Sequence, residues 1–174
     1  MSHTTSPEPE IHERAAQPYL GIPREVTSGV PDAVDAAFPA LFAWLGEHGA
    51  ELSGPPFIRF HEVDGDGAPL ALEVAVPVAA ELPGDDLVRA GTLPAGRYVT
   101  LVHAGPYRST TVPDLAATRE RLHAWIAARG IVYGHETDRG MALPCCVEHL
   151  QVSPGTEPDF TKWRTELAYL IVDR

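Results

Sequence analysis

Leu41-Phe-Ala-Trp-Leu-Gly-Glu-His-Gly49 and Leu122-His-Ala-Trp-Ile-Ala-Ala-Arg-Gly130 share one pattern, Leu-x-Ala-Trp-(Leu/Ile)-x-x-x-Gly. Each copy precedes a Glu-x-Ala sequence within an apolar run, first at Glu73 and again at Glu166. The match is informative because it aligns two of only three tryptophans in the chain. A unit of roughly 80 residues therefore occurs twice, which is too few copies for a solenoid and indicates one globule with a pseudo-two-fold axis. Small ligands often bind at the seam between such halves.

Composition and charge limit the class of protein. The chain has 174 residues, of which 44% are hydrophobic and 21% charged, as in a soluble globule of one domain or of two halves sharing a core. Its net charge is −11, from 24 acidic against 13 basic residues. Such a surface repels phosphate backbones and anionic membranes, so we expect no nucleic-acid and no membrane partner. The same field would favour cationic small molecules.

The termini and cysteines indicate a cytoplasmic protein. No apolar run approaches the length of a transmembrane helix, and the N-terminus lacks the basic and apolar regions of a signal peptide. Residues 1–16 are expected to be a disordered tail. Cys145 and Cys146 are adjacent, so on a strand they point to opposite faces and are not expected to form a disulfide.

The first unit, residues 17–82, has the predicted order strand–helix–strand–strand. A helix is expected from an N-cap at Asp32 to a stop at Gly49, with a kink or a late start caused by Pro39. A hairpin turn joins the last two strands. The strands are predicted at Tyr19–Thr27, Phe57–Val63 and Leu70–Val78.

The second unit, residues 83–174, repeats this order after a linker at Pro83–Asp86. Its helix is expected to start at Asp114 or Thr111 and to run to Arg129, and residues 134–144 are expected to form a loop. Strands are predicted at Arg97–His103, Cys145–Val152 and Trp163–Val172. The chain is therefore predicted to be an α+β protein with antiparallel sheets, both helices in one layer, and a central ligand cleft between two pseudo-symmetric units.

Three carboxylates are candidates for chemistry. Glu73 lies among small residues on the strand face opposite the large aliphatic side chains, and Glu166 occupies the related position in the repeat. Glu148 shares a strand face with Cys146 and Leu150. One interpretation is an acidic cleft whose desolvated carboxylates bind a cation or act as general acid or base. The other is a set of solvated or ion-paired glutamates on the polar face of a sheet.

Aromatic residues supply possible cleft walls. Trp44 and Trp125 lie mid-helix at equivalent positions of the repeat, where they would pack in the core or line a ligand pocket. Further aromatic side chains on strands or turns could line a cleft, and the tyrosines among them could donate protons: Tyr98, Tyr107, Phe57, Phe60 and Trp163.

Several other kinds of site are not indicated. The eight histidines and two cysteines show no metal-ligand spacing, and no glycine-rich phosphate loop or Gly-x-Ser-x-Gly turn is present. Asp64-Gly-Asp-Gly67 lacks the later ligands of a calcium loop and is interpreted as a turn. We therefore predict no metal and no cofactor, and Cys146 is interpreted as a small core residue.

The order of several short motifs resembles the GyrI-like small-molecule-binding family, which also forms the effector-binding half of AraC-type and multidrug-responsive transcription regulators. The resemblance covers about residues 17–172. It is carried by Leu93-Pro-Ala-Gly-Arg-Tyr98, Gly105-Pro-Tyr107, Trp125-x4-Gly130 and Trp163-Arg-Thr-Glu-Leu167. Gly54-Pro-Pro-Phe57, Glu73-x-x-x-Pro77 and Pro158-Asp159 look like a subgroup of free-standing bacterial members. No helix-turn-helix is recognisable, so a complete DNA-binding regulator is not expected.

The resemblance implies a central cleft that takes hydrophobic, planar, often cationic drug-like or toxin-like compounds, for sequestration, sensing or xenobiotic resistance. In the family an acidic residue of the last strand meets the ligand, and the matching position is Glu166. The predicted ligand-binding residues are Glu166, Glu73, Glu148, Trp44, Trp125, Tyr98, Tyr107, Phe57, Leu150 and Trp163.

An enzyme is the alternative, because some free-standing relatives hydrolyse cyclopropanoid genotoxic compounds with an acidic residue and a tyrosine. Glu166 or Glu73 would then be the catalytic acid–base. This chain departs from the usual Arg-x-Glu-x-Tyr pattern of the penultimate strand, where it has Cys146-Val-Glu148-His-Leu150. A gyrase-inhibitor-like interaction module that uses the outer surface is a third possibility. The ligand's identity, its turnover, the tyrosine that would donate a proton and the oligomeric state are left open.

Overall fold

The computed structural model describes residues 7–173, which form one antiparallel sheet with two helices. Eight strands lie in the order β1-β6-β9-β8-β3-β4-β2-β5, and a ninth, β7, pairs with β8. The elements are β1 Glu10–Arg14, β2 Gln17–Glu25, α1 Val30–His48, β3 Phe57–Asp64, β4 Pro69–Pro77, β5 Arg89–Leu93, β6 Gly96–Ala104, α2 Leu115–Ala128, β7 His135–Glu136, β8 Gly140–Val152 and β9 Arg164–Leu170.

The sheet carries the predicted internal symmetry. The units β2-α1-β3-β4 and β6-α2-β8-β9 each have the order strand–helix–strand–strand. In the sheet they are arranged as β6-β9-β8 followed by β3-β4-β2, so β8 and β3 meet at the pseudo-two-fold axis. The α+β prediction is confirmed, and a single sheet runs through both units.

Each unit is extended by a strand from outside its repeat. β5 follows the first unit in the chain and pairs with β2 of that unit. β1 precedes the first unit in the chain but pairs with β6 of the second unit. The predicted disordered tail is therefore wrong for residues 10–14, and residues 1–6 lie outside the described part of the chain. The segment is polar because it is an edge strand, where charged side chains discourage further pairing.

The two faces of the sheet carry different side chains, because neighbours along a strand alternate. The helix face, on which α1 and α2 pack, holds the main core, including Leu72, Val74 and Leu167. The opposite face, here called the back face, holds a smaller cluster that includes Phe57, Tyr98 and Ala168. Both cysteines are free and buried, Cys146 on the helix face and Cys145 on the back face, as predicted.

The helix boundaries are partly as predicted. The side chain of Asp114 accepts a hydrogen bond from the Ala117 amide and caps α2, and Gly49 ends α1 with a left-handed φ of 62°. Helix α1 begins at Val30, before the predicted cap at Asp32, and continues through Pro39, so the predicted late start is wrong. A proline at the first helical positions is already shaped for a helix, and Pro31 takes that place.

Residues 134–144 are not a loop throughout, because β7 and the first part of β8 occupy much of this segment. Gly140 opens β8 at φ 149°, and a Cβ there would collide with the carbonyl of Val63. The close approach of the two backbones requires glycine at this position. Among the described residues, no helix has both the length and the apolar character needed to span a membrane.

Candidate functional site

A cleft of about 2180 Å³ lies between the two helices, above the centre of the sheet. Helix α1 packs on β4 and β2, and α2 packs on β6, so the central strands β3 and β8 are left uncovered between them. These strands form the floor of the cleft. Small-molecule sites commonly occupy about 300–1,000 Å³, so this cleft can hold a bulky ligand.

One side of the cleft is apolar. Val34, Phe38 and Phe42 of α1 face it, and the rings of Phe38 and Phe42 stack with centroids 6.2 Å apart. Phe42 remains 45% exposed, which is unusual for a phenylalanine on a packed helix. Phe38 is partly buried against the core, and an exposed aromatic ring such as that of Phe42 beside a concave site is typical of a surface that a ligand covers. The floor continues this surface with Ile58, Phe60, Leu143 and Cys146.

The other side presents a second aromatic pair. Tyr107 follows β6 and Trp163 precedes β9, and their ring centroids lie 4.9 Å apart. The indole nitrogen of Trp163 donates to the carbonyl of Glu157 at 2.7 Å, which fixes the ring. The hydroxyls of Tyr107 and Thr165 are buried beside each other. Within residues 7–173, neither hydroxyl has a hydrogen-bond partner of ordinary geometry. Burial raises the pKa of Tyr107, so this hydroxyl stays protonated.

An ion pair lies at the floor. Glu148 is 3% exposed on β8. Its Oε1 accepts a hydrogen bond from Nε of Arg119 at 2.8 Å, and Nη2 of Arg119 lies 2.7 Å from the same oxygen in an ion pair. Arg119 reaches this position from α2. A carboxylate so deeply buried requires a partner, since an unpaired charge in such a position is costly. Five further carboxylates line the cleft: Asp35, Asp64, Asp66, Asp114 and Glu136.

Three rings extend the polar side of the floor. Nε2 of His123 and the hydroxyl of Tyr169 lie within hydrogen-bond distance at 3.1 Å, and Tyr133 packs against both rings. Removal of water from the ring, together with nearby Arg119, lowers the pKa of His123. Burial raises the pKa of Tyr169 and Tyr133. At neutral pH these three groups are therefore uncharged hydrogen-bonding and stacking partners.

The structure brings four of the predicted ligand-binding residues into this cleft: Glu148, Tyr107, Leu150 and Trp163. The shared face predicted for Cys146, Glu148 and Leu150 is the face that lines it. The other six lie elsewhere: Glu166, Glu73, Trp44, Trp125, Tyr98 and Phe57.

Glu73 lies on the back face, so its predicted place in the cleft needs correction. Its Oε1 accepts hydrogen bonds from the Tyr19 hydroxyl at 2.7 Å and from His61 Nε2 at 3.1 Å. Burial alone would raise the pKa of Glu73, but the hydrogen bonds of His61 and Tyr19 outweigh it and lower the pKa. The small residues beside Glu73 make room for this network rather than for a ligand, since a Cβ on Gly21 would lie 2.9 Å from the Glu73 side chain.

Glu166 also lies on the back face, at the repeat-equivalent position that was predicted. Arg14 Nη2 donates to its Oε1 at 2.7 Å, and His149 is its cross-strand neighbour on β8. Burial lowers the pKa of His149 to about 4. The repeat placed both glutamates correctly relative to each other. It did not indicate that the helices cover the opposite, aliphatic face.

The remaining predicted residues have structural contacts. Tyr98 and Phe57 are buried in the back-face cluster. Trp44 is buried and donates from its indole nitrogen to Asp85 at 2.7 Å. Trp125 is half-buried against the core, with the Arg129 guanidinium 3.7 Å from its ring centroid. For both tryptophans the packing interpretation therefore agrees with the geometry.

Sequence reasoning missed Arg119, His123 and Tyr133 as lining residues. A signal for Arg119 was present, because it lies four residues after Leu115 and three before Leu122, both buried on the inner side of α2. A charged residue within an apolar helical stripe needs a buried partner. Among the described residues, no group of three or more His, Cys, Asp or Glu side chains is placed to hold a metal ion.

A family model described as the GyrI-like small molecule binding domain matches residues 7–166. No curated protein matches the chain. The structure is similar to the crystal structure of the EcmrR C-terminal domain, with 16% identity, a TM-score of 0.72, and coverage of 96% of this chain and 98% of that domain. It also matches EcmrR in an EcmrR–DNA complex, with 16% identity and a TM-score of 0.77 over 96% of this chain. The match spans only 58% of that longer chain.

Two further solved structures share the fold. A hydrolase from Listeria innocua is 16% identical, with a TM-score of 0.60 over 98% of this chain and 94% of that chain. SAV2435 bound to tetraphenylphosphonium is 14% identical, with a TM-score of 0.55 over 95% and 94% of the two chains. At these identities the similarity establishes the fold alone.

Proposed function

The chain belongs to the family of GyrI-like small molecule binding domains, and we propose that its central cleft binds hydrophobic, planar compounds, cations among them, for sequestration or sensing. The observation that carries this proposal is the cleft between α1 and α2, which has aromatic walls and a buried polar pair on its floor. Ligand pockets typically combine a mostly apolar lining with a few convergent polar groups.

The walls suit flat aromatic ligands. The Phe38–Phe42 pair and the Tyr107–Trp163 pair face the cleft from opposite sides, and each offers ring surface for stacking. An aromatic contact of this kind contributes about 0.5–1.5 kcal/mol beyond the burial of its area. A planar ligand between the two pairs would cover Phe42, one of the most exposed large apolar side chains of the described residues.

The charges around the mouth favour approach by cations. Five carboxylates line the cleft besides Glu148, against two arginines, Arg108 and Arg119, and the whole chain carries a net charge of −11. A cleft with an excess of one sign of charge concentrates ligands of the opposite sign. SAV2435, which shares the fold, is bound to the lipophilic cation tetraphenylphosphonium, and this supports the same ligand class here. Capture of such drug-like or toxin-like compounds would protect a cell against xenobiotics.

Fluorescence titration with acridine, a planar aromatic probe, tests the proposal. Leu150→Trp places a large ring in the cleft, whereas Leu87→Trp adds the same ring at a side chain that is 45% exposed and not part of the lining. We expect the wild type and Leu87→Trp to bind alike, and Leu150→Trp to bind about tenfold or more weakly because overpacking excludes the probe. Equal affinity in all three proteins would contradict binding in the cleft.

We propose binding without turnover rather than hydrolysis of cyclopropanoid compounds. General acid–base catalysis needs a carboxylate or hydroxyl within reach of the reacting atom. Glu148 is engaged by Arg119, and Leu150 stands where the resemblance to the family implies a tyrosine. Mass spectrometry after incubation with a cyclopropanoid compound separates the two functions. Retention of intact compound at one equivalent supports sequestration, whereas multiple turnovers that are lost in Glu148→Gln would identify an enzyme.

A further inference from the structure

We propose that Arg119 sets the charge preference of the cleft: it keeps Glu148 in a neutral pair, so neutral planar ligands bind directly and a cation reaches Glu148 only by displacing the guanidinium. The inference rests on the proposed function, since it concerns the ligands of the same cleft. It assigns to Arg119 the role of a specificity-determining residue.

The two partners are held very differently. Glu148 lies on the central strand β8, where backbone pairing to β3 and β9 fixes it, and its side chain is 4% exposed. Arg119 extends from α2 across the cleft, and its side chain is 35% exposed. The carboxylate is therefore the fixed partner, and the guanidinium is the one that can move into solvent. Long arginine side chains readily relocate their charged end in this way.

The charges at the floor balance. Burial alone would lower the pKa of Arg119, but the charge of Glu148 and the hydrogen bond to it outweigh burial and raise the pKa, so the guanidinium stays charged. His123, the next ionisable group along this side of α2, has a lowered pKa and is neutral near pH 7. The floor thus combines one negative and one positive charge. Attraction of cations is limited to the acidic mouth, where solvent screens it.

This balance has a consequence for ligands. A cation that binds at the floor must break the charge-assisted hydrogen bond and the ion pair between Arg119 and Glu148 before it gains a contact of its own. A neutral flat ring leaves the pair intact and can stack over the planar guanidinium. The floor therefore favours neutral planar heteroaromatics, although the mouth attracts cations.

Acridine and 10-methylacridinium are suitable probes, because they share one ring system and differ in charge at mildly alkaline pH. Their affinities are measured by fluorescence for the full chain and for Arg119→Met, Arg119→Lys and Glu148→Gln. Arg129→Met is the matched control: it removes the same charge at the end of the same helix, but Arg129 packs on Trp125 outside the cleft lining. The ratio of the two affinities is the readout, because a general packing defect weakens both probes alike.

Arg119→Met frees Glu148, so we expect the methylacridinium-to-acridine affinity ratio to rise about tenfold or more, the scale of one charged hydrogen bond. Arg119→Lys and Arg129→Met should keep the wild-type ratio. Glu148→Gln leaves Arg119 as an unbalanced cation, and the ratio should fall by about tenfold. Glu148→Gln leaves no buried carboxylate without a partner. The affinity ratio can therefore still be measured in this variant if Arg119→Met does not fold.

An unchanged ratio in Arg119→Met or in Glu148→Gln, with acridine still bound, would overturn the role of Arg119 and leave the proposed function standing. Failure of the wild type to bind either probe would instead overturn the proposed function, and the inference with it. The two failures are thus distinguished by the wild-type titration.

Discussion

Arg119 Nη2 and Glu148 Oε1 lie 2.7 Å apart across the floor of the cleft and join helix α2 to the centre of the sheet. The internal repeat predicts two symmetry-related glutamates, Glu73 and Glu166, in the cleft, but the structure places the Arg119–Glu148 pair there instead. The acidic residue of the cleft comes from β8, beside the pseudo-two-fold axis, and its partner comes from a helix of only one unit. The site is thus asymmetric within a symmetric fold, as is common where a site is grafted onto a repeated scaffold.

The back-face glutamates should not affect ligand binding. Glu73→Gln weakens hydrogen bonds from Tyr19 and His61, and Glu166→Gln removes the charge that pairs with Arg14. We expect Glu73→Gln to lower the free energy of unfolding by about 1–3 kcal/mol, as for loss of a buried charged hydrogen bond, and Glu166→Gln to lower it by less, because its pair with Arg14 is partly exposed. Both changes should leave acridine affinity within about twofold. Urea unfolding and fluorescence titration measure the two effects. A large loss of acridine affinity in a stably folded variant would indicate that Glu73 or Glu166 takes part in ligand binding.

The Tyr107–Trp163 pair should contribute to aromatic binding. Trp163→Ala removes one half of a stacking wall, and we expect the affinity for acridine to fall by about 1–3 kcal/mol. Trp125→Ala is the matched control, because it removes a half-buried tryptophan that does not line the cleft. Calorimetric titration of both variants checks the difference. Similar losses in the two would indicate a general effect on folding instead.

The fold should lose stability in mild acid through His149. Its pKa is about 4 in the folded protein against an ordinary 6.5, so the unfolded chain binds the proton more readily between these values. The stabilisation is complete above about pH 6.5 and is lost as pH falls towards 4, by an amount on the order of 2 kcal/mol. The lowered pKa of His123 acts in the same direction, and so does that of Glu73, whose stabilisation is lost as pH falls below its ordinary value of 4.5.

Urea unfolding at a series of pH values measures this dependence. His149→Gln should flatten the slope between pH 4 and 6.5, and His135→Gln, at an exposed position on β7, should not. The same slope in the wild type and in His149→Gln would show that other groups cause the acid sensitivity.

Two glycines should respond to alanine in opposite ways. Gly46 lies in α1, and a Cβ added there would have no other atom within 4 Å, so Gly46→Ala should stabilise the helix by about 0.5–1 kcal/mol. At Gly91 a Cβ would overlap the Tyr19 ring, which is held by Glu73, so Gly91→Ala should destabilise the fold. Thermal melting gives both signs. Stabilisation by Gly91→Ala would contradict the tight packing of β5 on β2.

Much of the architecture could be predicted from the repeat. The matched tryptophans and Glu-x-Ala sequences indicated two equivalent units, and strand alternation correctly separated Glu73 from Val74 and placed Glu148 with Leu150. Alternation cannot tell which face the helices cover. For β4 the small-residue face resembled a ligand surface, but the aliphatic face packs against the helices because burial of large apolar side chains stabilises the fold most.

Long-range contacts account for the other errors. Four of residues 10–14 are polar, and only pairing with β6 makes the segment a strand. The role of Arg119 depends on the distance between α2 and β8, which no local pattern specifies. Glu73 and Glu166 resembled a site because carboxylates on a sheet face that also carries small residues can form one, yet here one oxygen of each accepts a hydrogen bond from a neighbouring donor on the back face.

The most direct test of ligand binding in the cleft is a crystal structure of the protein with acridine. The expected result is an ordered ring between α1 and α2, above β3 and β8, in contact with the Tyr107–Trp163 pair and with Arg119 still bonded to Glu148. Acridine bound at the back face beside Glu73 or Glu166, or an empty cleft at saturating acridine, would contradict it.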